Sequence, residues 1–281
     1  MPVLFVLLSM ISLTTGASMA KQLFQVAGAP GTVVVRLGIG ALLMCAFWRP
    51  WRSRLSREAV KWIVLYGICL GSMNLCFYLA ISRLPIGLAI AIEFLGPLSL
   101  ALYHSRHALD FLWALLAASG VFLILPLAGV GGADVRGVLY ALGAALMWAL
   151  YIVLSKKVGK LTSAGTAATL GTAVGFLAIA PFCARAAAPL LGNSALLVTA
   201  LGVGFLSSAL PYSLEMVALK SIPEKTFSLL MSVEPAIGAI AGFVLLGEHL
   251  TVRQLGAIGC VILASVGSTV SHREAELPPI V

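Results

Sequence analysis

Charge is scarce in this sequence. Only 10% of its 281 residues are Asp, Glu, Lys or Arg, and 60% are hydrophobic. A soluble globular domain has about 25% charged and about 45–50% apolar residues. The stretches between the apolar runs are too short to form a soluble domain. This composition excludes an ordinary soluble protein and indicates a chain embedded in a membrane.

Patterns for disulfides, metals and catalysis are also lacking. The five cysteines all fall within apolar runs without paired spacing, so we expect buried thiols that pack as small apolar groups. His104 and His107 lie three residues apart beside Asp110, but a role on a loop surface is favoured over metal binding. No nucleophile with a base, phosphate loop or zinc pattern is present. We therefore expect no cofactor, no metal, no catalytic residue and no enzymatic activity.

The apolar residues form ten runs of roughly the 20 residues that a membrane-spanning helix needs. These runs are Val3–Met19, Thr32–Trp48, Ala59–Ile81, Ile86–Tyr103, Leu109–Ala128, Gly137–Ser155, Ala164–Ala184, Ser194–Val217, Thr226–Leu246 and Val252–Val270. The first run has no basic segment before it, which favours a retained helix over a cleaved signal peptide. The predicted fold is an all-α polytopic membrane protein with ten transmembrane helices.

The Lys and Arg residues outnumber the acids, but they are scattered through short loops. We therefore expect membrane lipid and not nucleic acid as a partner. With the N-terminus in the cytoplasm, most basic residues fall in cytoplasmic loops, and the opposite side has only Lys21, Arg83, Arg136, Arg185 and Arg253. The positive-inside rule then predicts that both termini are cytoplasmic.

The chain contains an internal repeat. RLPIGLAIAIEFLGP ends at Pro97 and SIPEKTFSLLMSVEP ends at Pro235, and we call the spacing between these two prolines the repeat offset. The helix before each stretch aligns at the repeat offset, which predicts a first five-helix repeat at 1–132, a second at 133–272 and a cytoplasmic tail at 273–281. Five is odd, so the second repeat enters the membrane inverted. Many secondary transporters have this architecture, with the substrate site near the midplane.

Several polar residues lie inside the predicted spans, where a charge costs about 2.5–3.5 kcal/mol at the helix centre. Glu93 and Glu234 are too deep to reach water along the lipid face, and the repeat predicts that both line one central cavity. Arg36 and Glu215 lie nearer to helix ends, so reaching the headgroups is an alternative for them. Asn74 and Tyr78 in one helix, and Tyr212 in its counterpart, extend the polar set. Three Gly-x-x-x-Gly pairs, beginning at Gly67, Gly171 and Gly238, predict close helix packing.

Ten helices, the five-helix repeat and the closing pattern GEHLTVRQLGAIGCVILASVGS resemble the EamA-type members of the drug/metabolite transporter superfamily. The resemblance covers essentially the whole chain. Within that superfamily, AIEFLGPLSLAL, LPYSLEMVALKSIPEKTFSLLMSVEPAIGAIAG and VVVRLGIGALL look like the bacterial inner-membrane exporters of threonine and homoserine. The resemblance implies efflux of small neutral amino acids driven by the proton motive force.

A zwitterionic substrate needs a partner for each of its charges. Glu93 or Glu234 can bind either the ammonium group or a proton, and we favour Glu93 as the proton carrier. Arg36 is the candidate for the substrate carboxylate, since a guanidinium binds carboxylates through two hydrogen bonds. Asn74, Tyr78 and Tyr212 are candidates for the substrate hydroxyl. Export of other metabolites or toxic compounds, and a membrane scaffold that does not transport, are the alternatives.

Overall fold

The computed structural model describes residues 2–103, 108–124, 134–219, 227 and 230–275, and within these ranges the chain is helical without any β-strand. His104 and His107 lie outside the described residues. The helices are α1 (Pro2–Trp48), α2 (Arg57–Ile81), α3 (Ile86–Glu93), α4 (Leu95–Tyr103), α5 (Ala108–Ile124), α6 (Val135–Gly159), α7 (Ala164–Leu191), α8 (Ser194–Gly204), α9 (Leu210–Leu219), α10 (Glu234–Leu246) and α11 (Val252–Ala275). A short 3₁₀ helix (Pro50–Arg52) follows α1, and a π-helical segment (Phe205–Ala209) joins α8 to α9.

Several of these helices match the length and apolarity that a bilayer demands. Within the described residues, six segments are long and apolar enough to span a membrane: Pro2–Trp48, Arg57–Ile81, Val135–Gly159, Ala164–Leu190, Ser194–Glu215 and Val252–Val270. Shorter apolar helices cover Ile86–Leu100, Phe111–Gly120 and Glu234–Leu246. The structure is thus that of a polytopic membrane protein, as the composition predicts.

Helix α1 contains the first two predicted spans, joined at Gly28. The backbone of Gly28 has φ 61° and ψ 176°, a conformation that glycine adopts without strain because it has no Cβ. Pro30 follows two residues later and begins the second arm. The interruption falls between the two predicted spans, where a connection is expected.

Three other predicted spans are not continuous helices, and one of them, Thr226–Leu246, has a turn at Ser232 and Val233. The span Ile86–Tyr103 is interrupted by a turn at Phe94, and the span Ser194–Val217 changes from α-helix to π-helix at Phe205. A proline follows each change. Pro97 has no N–H to donate to the carbonyl of Glu93, and Pro211 has none to donate to the carbonyl of Ser207. These two missing hydrogen bonds explain why the helices deviate there.

The helices define two ends of the molecule. The Gly28 end contains Gly28 and the connections 82–85, 192–193 and 247–251, and the Trp48 end contains Trp48 and the connections 49–56 and 160–163. One continuous apolar cluster occupies the Gly28 end, with Leu23, Ile81 and Leu190 among its members. The described buried residues nearer to the Trp48 end form separate smaller clusters, built around Tyr66, Met10 and Leu98 respectively.

Glycines allow α2 and α7 to approach closely. A Cβ added at Gly71 would lie 2.6 Å from the carbonyl oxygen of Gly175, and one at Gly67 would lie 2.5 Å from Cβ of Val174. Gly238 is packed against Ile90 on α3, where an added Cβ would lie 2.5 Å from Cδ1. The prediction that the Gly-x-x-x-Gly pairs serve packing is confirmed at these positions.

Candidate functional site

A cavity of about 120 Å³ lies where α1, α2, α3, α6, α9 and α10 meet. This volume has room for several water molecules. Its walls are formed by Leu13, Arg36, Met73, Asn74, Phe77, Ile90, Glu93, Trp148, Tyr151, Tyr212, Glu215, Met231 and Glu234. Six of the seven residues that the sequence singled out as polar candidates therefore line one cavity, although they come from five different helices.

Arg36 is held by protein groups from two directions. Its Nη1 donates to Oδ1 of Asn74 at 2.5 Å, and its Nη2 donates to the carbonyl oxygen of Ser207. The guanidinium lies 5.1 Å from the ring centre of Tyr78, a cation–π contact. Arg36 is only 3% exposed, so it does not extend to the headgroup region. It links α1 and α2 to the π-helical segment.

Tyr78 is fully buried behind Arg36 and does not line the cavity. Its hydroxyl has no hydrogen-bond partner among the described residues. This position suits a side chain that supports the guanidinium and does not suit a ligand of the substrate hydroxyl. In this structure Tyr78 contacts the guanidinium of Arg36 and not the cavity.

The carbonyl of Ser207 is available to Arg36 because Pro211 lies four residues later in the chain. A proline at that position removes the helical N–H that would otherwise bind this carbonyl. In lipid every backbone polar group needs a partner, and here a side chain from another helix supplies it. Ser207 belongs to the polar tract 207–215 but was not among the candidate residues, and the position of Pro211 is the signal that could have singled it out.

Glu93 and Glu234 both lie at helix interruptions. Glu93 is the last residue of α3 and is 8% exposed, while Glu234 is the first residue of α10 and is 3% exposed. Oε2 of Glu234 has no hydrogen-bond partner among the described residues. A buried carboxylate oxygen without a partner is costly, which makes this position suited to binding a proton or a cationic group.

Tyr212 and Glu215 extend the cavity along α9. Both residues line its wall, three positions apart and hence on one face of the helix. The alternative in which Glu215 reaches the headgroups along the lipid face does not fit this position. The cavity thus contains three carboxylates and one guanidinium.

An aromatic wall on α6 was missed by our sequence reading. Trp148 meets the ring of Phe94 edge-on at 5.4 Å, and Tyr151 stacks on Tyr66 at 5.0 Å. The internal repeat is the signal that could have found Tyr151, because it lies one repeat offset after Leu13, another lining residue. Aromatic side chains have polar and apolar parts, so this wall can contact both the charged and the methyl groups of a small solute.

Pairs of lining residues are related by the repeat offset throughout the cavity. Besides Leu13 and Tyr151, the pairs with this spacing are Asn74 and Tyr212, Phe77 and Glu215, and Glu93 and Met231. Equivalent positions of two chain segments therefore face the same space. Among the described residues, no group of three or more His, Cys, Asp or Glu is arranged to hold a metal ion.

The chain is similar to known transport proteins. Residues 135–270 match the EamA-like transporter family. The threonine/homoserine exporter RhtA of Escherichia coli (strain K12) is 43% identical over 275 residues, which cover 98% of this chain and 93% of that protein. RhtA of Salmonella typhimurium (strain SL1344) is 43% identical over 100% of this chain and 95% of its own length. One solved crystal structure has the same fold, with a TM-score of 0.56 at 15% identity over 96% of this chain and 99% of that chain.

Proposed function

Because this chain belongs to the EamA-like transporter family, we propose that it exports threonine, homoserine and similar small neutral amino acids across the bacterial inner membrane in exchange for protons. The observation that carries the proposal is the cavity itself, in which three carboxylates and Arg36 surround one space between helices. The 43% identity to proteins named threonine/homoserine exporters supports this cargo.

We propose ten membrane crossings arranged as two inverted five-helix repeats, residues 1–132 and 133–272, with a cytoplasmic tail at 273–281. The lining pairs separated by the repeat offset support this arrangement. The packing of α1 on α7, α3 on α10 and α5 on α11 supports it too, because each contact joins elements at or near that offset. The turn at Phe94 also recurs one repeat offset later, at Ser232.

Reporter fusions test this topology. A reporter at Val281 and one inserted within residues 52–58 are both expected in the cytoplasm, because the basic residues concentrate on that side. A periplasmic signal from either fusion would contradict the inverted arrangement, since the orientation of every helix depends on it.

The substrate charges can be matched to cavity groups. Glu234 binds the ammonium group, for which its unpartnered Oε2 is available. Arg36 binds the carboxylate, because a guanidinium has five N–H donors and the two contacts with Asn74 and Ser207 leave others free. Asn74 and Tyr212 lie beside Arg36 on the cavity wall, where the substrate hydroxyl would be bound.

Glu93 carries the coupling proton in this proposal. Its predicted span contains no other charged residue, and it approaches the cavity from the Gly28 end. The proton would then move from the periplasm to the cytoplasm while the amino acid moves in the opposite direction. The two inverted halves expose the cavity alternately to the two sides.

Purified protein in liposomes with an imposed pH gradient tests the cargo and the coupling together. We expect labelled threonine to accumulate in the acidic compartment, and collapse of the gradient to abolish accumulation. The aromatic wall and the three acids favour a second candidate, the export of cationic or aromatic toxic compounds. Protection of cells against such compounds, but not against excess homoserine, would favour that cargo, and no transport at all would favour a scaffold.

A further inference from the structure

A second group of charged residues lies at the Gly28 end, apart from the cavity lining. Nζ of Lys21 donates to Oε1 of Glu248 at 2.5 Å and to the carbonyl oxygen of Leu84 at 3.1 Å. Oε2 of Glu248 accepts from the backbone N–H of Ile86 at 2.9 Å. The two side chains are 21% and 14% exposed, so water screens their attraction only partly. They link α1, the 82–85 connection and the segment after α10.

The backbone is shaped to deliver Glu248 to this position. Gly247 has φ 65° and ends α10 in the left-handed conformation, so the chain turns back over the helix. A Cβ at Gly242 would lie 2.3 Å from Oε2 of Glu248, so the glycine leaves room for the carboxylate in its present position. If Glu248 extended into solvent, its carboxylate would not occupy this space beside Gly242.

Glu248 also controls the start of the helix that bears Glu93. Pro85 precedes α3 and no side chain of α3 or its N-cap binds the first N–H groups. Glu248 supplies that missing acceptor from the other half of the chain. Moving Glu248 away would therefore remove this acceptor from the N-terminus of α3, the helix that ends at Glu93.

We propose that Lys21 and Glu248 form a latch that keeps the Gly28 end of the transporter closed and that must open for the cavity to reach that side. The proposal rests on alternating access in the proposed function. Of the ion pairs between described residues, the other one, Arg83 to Asp134, lies at the same end but is 37% and 38% exposed. That pair is a matched control, because it also involves the 82–85 connection but borders solvent.

Thiol labelling tests the latch without any transported substrate. The five native cysteines are replaced, Met73 on the cavity wall is changed to cysteine, and a membrane-impermeant thiol reagent is applied separately to each membrane face. We expect Glu248→Gln to accelerate labelling from the periplasmic face on the order of tenfold, the population change that loss of a charge-assisted contact produces. Lys21→Met should have the same effect, and the double variant should add little to either, because the two residues act as one unit.

The control variant Arg83→Gln is expected to label at the rate of the parent. Unchanged labelling in Glu248→Gln, or an equal acceleration in Arg83→Gln, would overturn the latch. If Glu248→Gln does not reach the membrane, Lys21→Met decides the question, and Lys21→Arg should restore slow labelling. Because no amino acid takes part, faster labelling together with absent threonine transport would count against the cargo alone.

Discussion

The two ends of this molecule are built differently. At the Gly28 end, apolar side chains from α1, α2, α3, α7 and α8 form one cluster, and the Lys21–Glu248 contact lies over it. At the Trp48 end, the buried side chains that the structure describes form separate clusters, and the buried residues of each cluster come from two or three neighbouring helices. A continuous core resists separation, because opening it exposes all of its packed surfaces at once. Among the described residues, the Gly28 end is therefore the more continuously packed of the two, as the proposed latch requires.

The cavity between these ends is where the largest effect is expected. Glu93→Gln keeps the side-chain size but removes the proton that the carboxylate carries. We expect normal abundance in the membrane, because a neutral amide costs less to bury than a charge, and loss of threonine accumulation driven by a pH gradient. Exchange of labelled threonine between equal pools should survive, since it needs no net proton movement. Wild-type accumulation by Glu93→Gln vesicles would refute the assignment.

The substitution Arg36→Lys tests the hydrogen bonds that Arg36 donates to Asn74 and Ser207. Lysine keeps the charge but cannot donate to Asn74 and Ser207 with the forked geometry of the guanidinium. We expect transport to fall about tenfold, as for the loss of about 1.4 kcal/mol of interaction, while the protein level falls much less. Initial rates of threonine transport, normalised to the amount of protein, provide the measurement. Unchanged kinetics would leave Arg36 without a role in binding.

A pair of glycine substitutions sharpens the contrast between the two ends. At the Gly28 end, a Cβ at Gly31 would lie 2.6 Å from the carbonyl oxygen of Ala186, whereas at the Trp48 end a Cβ at Gly159 would meet nothing within 4 Å. Gly31→Ala should destabilise the protein by about 1–3 kcal/mol, because backbone atoms cannot yield easily. Gly159→Ala should change stability little or increase it slightly. Thermal unfolding in detergent compares the two variants. An equal fall in the unfolding midpoint of both would contradict the difference in packing between the two ends.

The smallest effect is expected at the exposed ion pair of the Gly28 end. The hydrogen bond from Arg83 lowers the pKa of Asp134 below its usual value, with a smaller contribution from the N–H of Arg136. A lowered pKa stabilises the fold at neutral pH, and that stabilisation disappears as the pH falls through the range below the usual value for Asp. Since the pair is solvated, Asp134→Asn should barely shift the midpoint of thermal unfolding at pH 7. The difference in unfolding midpoint between Asp134→Asn and the parent should vanish in acid.

Much of the cavity was predictable because charge in lipid is conspicuous. Glu93, Glu234 and Arg36 stood out against long apolar runs, and the structure places them around one space. The aromatic pair Trp148 and Tyr151 did not stand out, since aromatic residues are ordinary in apolar helices. Their direction depends on how α6 packs, which no local pattern specifies.

The sequence by itself determined that this chain is a membrane protein, which of its segments are apolar, and which polar residues are out of place in lipid. These properties follow from local hydropathy and from spacing along the chain. Only the tertiary structure decided that Arg36 binds the freed carbonyl of Ser207, that Tyr78 lies behind it, and that Lys21 meets Glu248 across 227 positions of sequence. Hydrogen bonds and ion pairs form between side chains that packing brings together, and that proximity depends on the whole arrangement of helices and not on any single segment.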